Sequence, residues 1–136
     1  MGTLFLDTSA WFAALSPPEA GHDLARRTLV ESAARGIRLV TTSMVVAETH
    51  SLLLRWRDPR AGRRFLAQVF DSADYQVEDV DRPLIRSALA RWIARYGDQR
   101  FSLCDAVSFE VMRAAGIRHA ITFDRHFRTA GFGTLG

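Results

Sequence analysis

The 136-residue chain contains no lysine: all 18 of its basic residues are arginine. It has a single cysteine, Cys104, and four prolines. One cysteine excludes an internal disulfide and makes a reducing cytoplasm the expected location. No apolar run approaches the roughly 20 residues that a membrane-spanning helix needs. The opening stretch MGTLFLDTSAWFAAL lacks a basic segment and carries Asp7 in its middle, unlike a secretory leader. No period of roughly 20–50 residues recurs, which excludes solenoids and propellers. The missing lysine also argues against two acidic-pocket α/β classes. A phosphate-receiver domain needs a lysine at the sheet edge. A dehalogenase-type phosphatase needs both a lysine and a D-x-D pair, and here Asp7 is followed by Thr8 and Ser9.

What remains is a composition that folds. Hydrophobic residues make up 48% and charged residues 24%, which suits one globular domain spanning residues 1–136. The net charge is +3. An all-arginine surface is compatible with phosphate recognition, because the guanidinium fork matches phosphate oxygens. It is equally compatible with a solvated surface and a biased coding sequence. The run RWRDPRAGRR (residues 55–64) sets five arginines against one acid. It can follow a phosphate backbone, or it can be a solvated helix junction.

Apolar patterning divides the chain into alternating elements. LFL at 4–6 is a short strand, followed by the helical pattern WFAAL. Residues 16–36 read as a helix with proline near its start and Gly36 at its end. IRLVTT (37–42) is a second strand. The next helix has Ser43 as its cap and Val45, Leu52 and Trp56 at helical spacing. Asp58-Pro59 opens a further helix, YQVEDV (75–80) alternates as an edge strand, and a helix runs from Arg82 to Gly97. Ser102 caps a helix that ends at Gly116, IRHAITF (117–123) is a strand, and the tail GFGTLG adds a short edge. Strand and helix alternate as in an α/β fold with a parallel sheet and right-handed crossovers.

In such a sheet the ligand crevice lies beyond the carboxyl ends of the strands. Asp7 follows the first strand, Glu48 lies one turn into the helix after the second, Asp105 opens the helix before the last long strand, and Asp124 follows that strand. Each acid alone has an ordinary reading as a cap, a first-turn charge or a turn residue. Together they are harder to dismiss, since Asp7 and Asp105 are embedded in apolar segments and no lysine is present to neutralise them. Buried carboxylates without a partner cost several kcal/mol. A cation from solution is the natural partner. Hard oxygen ligands, with no histidine or cysteine pair at metal-ligand spacing, favour Mg2+ or Mn2+. Cys104 adjoins Asp105, but a neighbouring helical position points about 100° away, so it reads as core.

The segments LFLDTSAWFAAL, HDLARRTL, MVVAETHSLL and FSLCDAVSFEVMRAAGIRHAITFDRHF resemble the PIN-domain family, in particular the VapC-type toxins of prokaryotic toxin–antitoxin pairs. The resemblance covers nearly the whole chain, and its ordered motifs (D-T-S, an acid after the second strand, S-x-x-D-A and T-x-D-x-x-F) are specific. It implies a three-layer α/β/α fold with a central, mainly parallel sheet. It implies a Mg2+-dependent endoribonuclease, with Mn2+ as substitute, in which Asp7, Glu48, Asp105 and Asp124 are the catalytic and metal-binding quartet. Thr8, Ser9 and Thr122 match its supporting polar positions, and Arg125 and His126 are candidate substrate contacts. The expected partners are an RNA substrate such as tRNA or ribosomal RNA, a cognate antitoxin across the acidic crevice and a second copy of the chain. The dimer reading draws on Leu53, Leu54 and Trp56. The alternatives are a PIN nuclease outside toxin–antitoxin systems, acting on other RNA or on DNA, and a non-catalytic RNA-binding relative.

Overall fold

The computed structural model describes residues 2–136. Its centre is strand β1 (Thr3–Leu6), in which Phe5 and Leu6 are fully buried. Helices α1 (Thr8–Leu15) and α2 (His22–Ala34) lead to β2 (Arg38–Thr42). Helices α3 (Ser43–Trp56) and α4 (Pro59–Asp71) lead to β3 (Tyr75–Glu78). Helix α5 (Arg82–Ala88) runs into a π-helical segment, Leu89–Ala94, and then comes α6 (Leu103–Ala115). Strand β4 (His119–Ile121), the short α7 (His126–Thr129) and β5 (Gly133–Leu135) complete the chain.

The five strands lie in the order β3-β2-β1-β4-β5 and every pair is parallel. Right-handed crossovers put helices on opposite faces as the chain moves outward in opposite directions from β1. Accordingly α1 packs with α2 and α3, and α3 with α4, while α5 and the π segment pack on α6. This is the three-layer α/β/α architecture. The switch point, where strand order reverses, lies between β1 and β4, and there the strand ends leave a crevice.

Local chemistry explains the element boundaries. Pro17, Pro18 and Gly21 hold residues 16–21 in turns, with Glu19 N donating to Ser16 O at 2.9 Å and His22 N to Glu19 O at 3.1 Å. The helix expected from residue 16 therefore starts at His22. Thr42, not Ser43, caps α3: its hydroxyl accepts from Val45 N at 3.1 Å. Ser43 Oγ instead accepts from Val80 N at 3.0 Å, tying α3 to the segment after β3. Asp58 caps α4 as expected, accepting from Ala61 N at 2.8 Å. Gly116 ends α6 in the left-handed region, at φ 70°, where an L side chain is disfavoured.

The helix expected through Gly97 changes character at Leu89. The wider π turn accompanies the burial of Trp92, whose Nε1 donates to Glu110 Oε1 at 3.2 Å. Glu110 is a buried acid with its own cations. Arg113 donates to it through two nitrogens, at 3.0 and 2.9 Å, and Arg91 approaches to 3.2 Å. These contacts, Arg113 foremost, hold its carboxyl below the usual range despite burial. Around it, Phe109 meets Phe101, Trp92 and Phe127 edge-on, with ring centroids 5.0, 5.3 and 4.9 Å apart. On the other face Trp11 packs edge-on against Phe65 at 4.8 Å. Of the apolar residues at the end of α3, Leu53 belongs to the core whereas Leu54 and Trp56 are exposed.

Phe109→Ala should therefore cost about 3–5 kcal/mol in urea unfolding, since it empties the centre of an aromatic cluster. Phe70, 62% exposed at the end of α4, should tolerate alanine within about 0.5 kcal/mol. Equal losses for the two would contradict this packing.

Candidate active site

Asp7 is the first residue beyond β1 and only 5% exposed. Its backbone N–H donates to Ile121 O at 3.1 Å, so the ends of β1 and β4 are joined at this residue. Its Oδ2 accepts from Thr122 Oγ1 at 2.8 Å and from Ser9 Oγ at 3.0 Å. The same two hydroxyls organise the turn after β4: Thr122 Oγ1 accepts from Asp124 N, and Ser9 Oγ from Phe123 N, both at 2.9 Å. The consecutive D-T-S and T-F-D segments thus fold onto each other through short polar side chains.

Asp105 enters from the start of α6, where it completes a capping box with Ser102. Asp105 N donates to Ser102 Oγ at 3.0 Å, and Asp105 Oδ2 accepts from Ser102 N at 3.1 Å. The helix-start reading of Asp105 is therefore correct in geometry, and it coexists with a place in the crevice. Asp105 Oδ2 lies 3.1 Å from His126 Nδ1, and Asp124 Oδ1 lies 3.6 Å from the same nitrogen. Asp124 Oδ1 also accepts from His126 N at 2.9 Å. One ligand atom each from Asp105, Asp124 and His126 fall within 4.8 Å of one another.

Glu48 stands apart from this tight group. It is exposed on α3, and its charge is one of those that act on the buried Cys104 thiol. Burial, followed by the charges of Glu48, Asp7 and Asp105, pushes that thiol far above its usual range. Cys104 belongs to the core, as expected, but its sulfur also faces three of the four acids. A thiol held protonated in this way is no nucleophile at neutral pH. Thr8 is buried, with a hydroxyl that has no protein hydrogen-bond partner. Arg125 is exposed.

The electrostatics separate these acids from Glu110. Among the described residues no arginine pairs with Asp7, Asp105 or Asp124; the only ion-pair partner of Asp105 and Asp124 is His126. Burial raises the carboxyl of Asp7 from its ordinary 3.8 to about 6; the hydroxyls of Thr122 and Ser9 oppose the shift and the charge of Asp105 adds to it. The donor set of carboxylates, hydroxyls and one imidazole, short of positive charge, fits a divalent cation. His126 was the member hardest to foresee as part of this group. The sequence offers it as a candidate substrate contact beside Asp124, and the structure sets its ring nitrogen among the acids.

A parallel α/β/α sandwich with acids gathered at its switch point is the arrangement of a nuclease-type metal site. The PIN domain family model matches residues 4–133, and the chain belongs to that family. Members of the family are generally dependent on divalent metal. The chain is 36% identical over 132 residues, 95% of each protein, to the 23S rRNA-specific endonuclease VapC20 of Mycobacterium tuberculosis. It superimposes with a TM-score of 0.86, at 35% identity and 95% coverage of both chains, on the crystal structure of that Sarcin-Ricin loop cleaving toxin. FitAcB from Neisseria gonorrhoeae shares the fold alone, with a TM-score of 0.67 at 14% identity, covering 98% of this chain and 96% of that one.

The raised Asp7 carboxyl makes a pH prediction for metal-free protein. Its folded pKa lies above its unfolded one, so the folded state holds the proton longer. From this group, stability is fully present below 3.8 and is lost as pH rises through about 6. The loss is about 3 kcal/mol by neutral pH. Asp7→Asn keeps a hydrogen-bond acceptor and removes the charge. In the presence of chelator it should be at least as stable as wild type near pH 7.5, and the difference should shrink towards pH 4. A variant clearly less stable at pH 7.5, by urea denaturation, would contradict the assignment.

Proposed function

We propose that this chain is a metal-dependent endoribonuclease that hydrolyses RNA phosphodiester bonds, and that it is the toxin of a VapBC-type toxin–antitoxin pair. The observation that carries the reading is the convergence of Asp7, Asp105 and Asp124 on one crevice with no arginine to neutralise them. The likeness to a 23S rRNA-specific endonuclease makes a structured ribosomal RNA loop the first candidate substrate. Residues 1–136 act as one PIN unit, in the cytoplasm, where such a substrate is found.

Asp105 and Asp124 hold the cation, with Asp7 and Glu48 as further carboxylates from the strand β1 and helix α3 sides. Mg2+ and Mn2+ both suit the carboxylate donors. When bound, the divalent ion supplies Lewis acidity towards the phosphodiester and towards the attacking water. Thr122 and Ser9 fix the carboxylate of Asp7 and the turn that presents Asp124. Thr8 brings a buried hydroxyl without a protein partner next to Asp7. Arg125, exposed and next in sequence to Asp124, would meet a phosphate of the substrate. Attack by water needs no covalent intermediate, and the Cys104 thiol, held protonated by burial, takes no part.

An antitoxin that covers the crevice would satisfy the unpaired carboxylates with a basic side chain. Leu54 and Trp56, exposed at the end of α3, are apolar enough to contribute to a homodimer. A DNA-cutting nuclease of the same fold is the reading that the same experiment distinguishes.

Incubation with labelled structured RNA, single-stranded RNA and DNA should give cleavage of RNA with Mg2+ or Mn2+ and none with EDTA. Asp105→Asn should lower the rate by about 100-fold or more, because it removes a carboxylate from the reacting centre. Undiminished cleavage in thorough chelation would sink the metal reading, and preferential cutting of DNA would sink the RNA reading.

Co-expression supplies a second test. The wild-type chain should arrest growth of a bacterial host, the Asp105→Asn variant should not, and a small protein encoded beside it should relieve the arrest. Harmless expression of protein that is active on RNA in vitro would point to a nuclease outside toxin–antitoxin systems.

A further inference from the structure

We infer that His126 is itself a ligand of the bound cation, through Nδ1, so that the site is a mixed carboxylate–imidazole site that prefers Mn2+ to Mg2+. The inference rests on the metal-dependent reading above and adds to it the fifth side chain that the acidic quartet leaves out. Two donors on adjacent positions of a six-coordinate ion, each about 2.1 Å from it, sit roughly 3 Å apart. His126 Nδ1 lies 3.1 Å from Asp105 Oδ2 and 3.6 Å from Asp124 Oδ1. The first matches the spacing of neighbouring ligands and the second is somewhat longer.

The ring is held where a ligand has to be. Its backbone N–H is fixed by Asp124 Oδ1, and its ring packs in a T-shaped pair with Phe101, with centroids 5.4 Å apart and planes at 76°. Phe101 is in turn locked against Phe109 in the core. The three side chains remain 13% (Asp105), 31% (Asp124) and 24% (His126) exposed, which leaves an open side for solvent and substrate. Nδ1 donates to Asp105 in the absence of metal; ligation replaces that proton by the cation and leaves the ring's other nitrogen to carry one. Imidazole is a poor ligand for Mg2+, which demands oxygen, and a good one for the first-row divalent ions. An imidazole added to the carboxylates therefore shifts the choice of ion towards Mn2+.

The test is spectroscopic and uses tag-free, metal-free protein titrated with Mn2+. Pulsed electron paramagnetic resonance of the wild-type complex should show the nitrogen coupling of one directly bound imidazole, and His126→Gln should lose it. Calorimetric titration with each ion should show the preference for Mn2+ over Mg2+ falling about tenfold in His126→Gln, with Mg2+ affinity nearly unchanged. Wild-type protein that binds Mn2+ without nitrogen coupling overturns the inference, whether or not RNA is cut. So does a His126→Gln variant that keeps both the coupling and the preference. Nitrogen-coupled Mn2+ in protein that cuts no RNA overturns the nuclease reading instead and leaves the ligation standing.

Discussion

The carboxylate of Asp7 is buried at the end of the central strand, and Thr122 reaches across from the end of β4 to hold it at 2.8 Å. That contact depends on β1 and β4 being neighbours, which they are only because the chain first builds outward through β2 and β3 and then returns. It also fixes the turn carrying Asp124, because the same threonine oxygen accepts the backbone N–H of Asp124. One hydroxyl thus serves as donor to the first acid and acceptor for the segment of the fourth. Ser9 does the same for Asp7 and Phe123. The crevice is preorganised by these small side chains, whose hydroxyls are each engaged in several hydrogen bonds.

The two kinds of buried acid in this fold differ in what neutralises them. Glu110 sits in the helical layer with Arg113, Arg91 and the Trp92 indole around it, so its charge is compensated from within the chain. Asp7, Asp105 and Asp124 have hydroxyls, backbone amides and one histidine, but no arginine. Among the described residues none of the 18 arginines pairs with these acids. Burial raises the carboxyl of Asp7, and burial with the charges of the neighbouring acids suppresses the ionisation of Cys104. A binding site for a cation is in this sense a local departure from the best packing and charge balance, supported by the rest of the fold.

Asp105 shows how one residue can meet a local and a long-range demand at once. Its backbone and carboxylate close the capping box with Ser102, which starts α6 at the right residue. Starting there aims the carboxylate at His126 and sets Phe109 and Met112 in the core one and two turns later. Moving the start of the helix by a single residue would rotate this whole face by about 100°. Local helix-start chemistry and site geometry therefore reinforce each other.

Much of this was legible in the chain alone. The alternation of elements, the Asp58 and Ser102 caps, the glycine at 116 and the position of each acid relative to its strand or helix are local properties, written in spacings of one to four residues. They sufficed to define a parallel α/β fold and a metal-seeking crevice. Sequence spacing does not encode distances between segments more than 100 residues apart. The hydroxyl bridge from Ser9 and Thr122 to Asp7, the entry of His126 among the acids and the exposure of Glu48 were decided by tertiary structure. So were the π turn at Leu89–Ala94 and the turns that delay α2 to His22, where packing and proline stereochemistry override helical periodicity. The chain by itself determined which chemical groups the crevice receives; only the closing of β1 against β4 decided which of them touch.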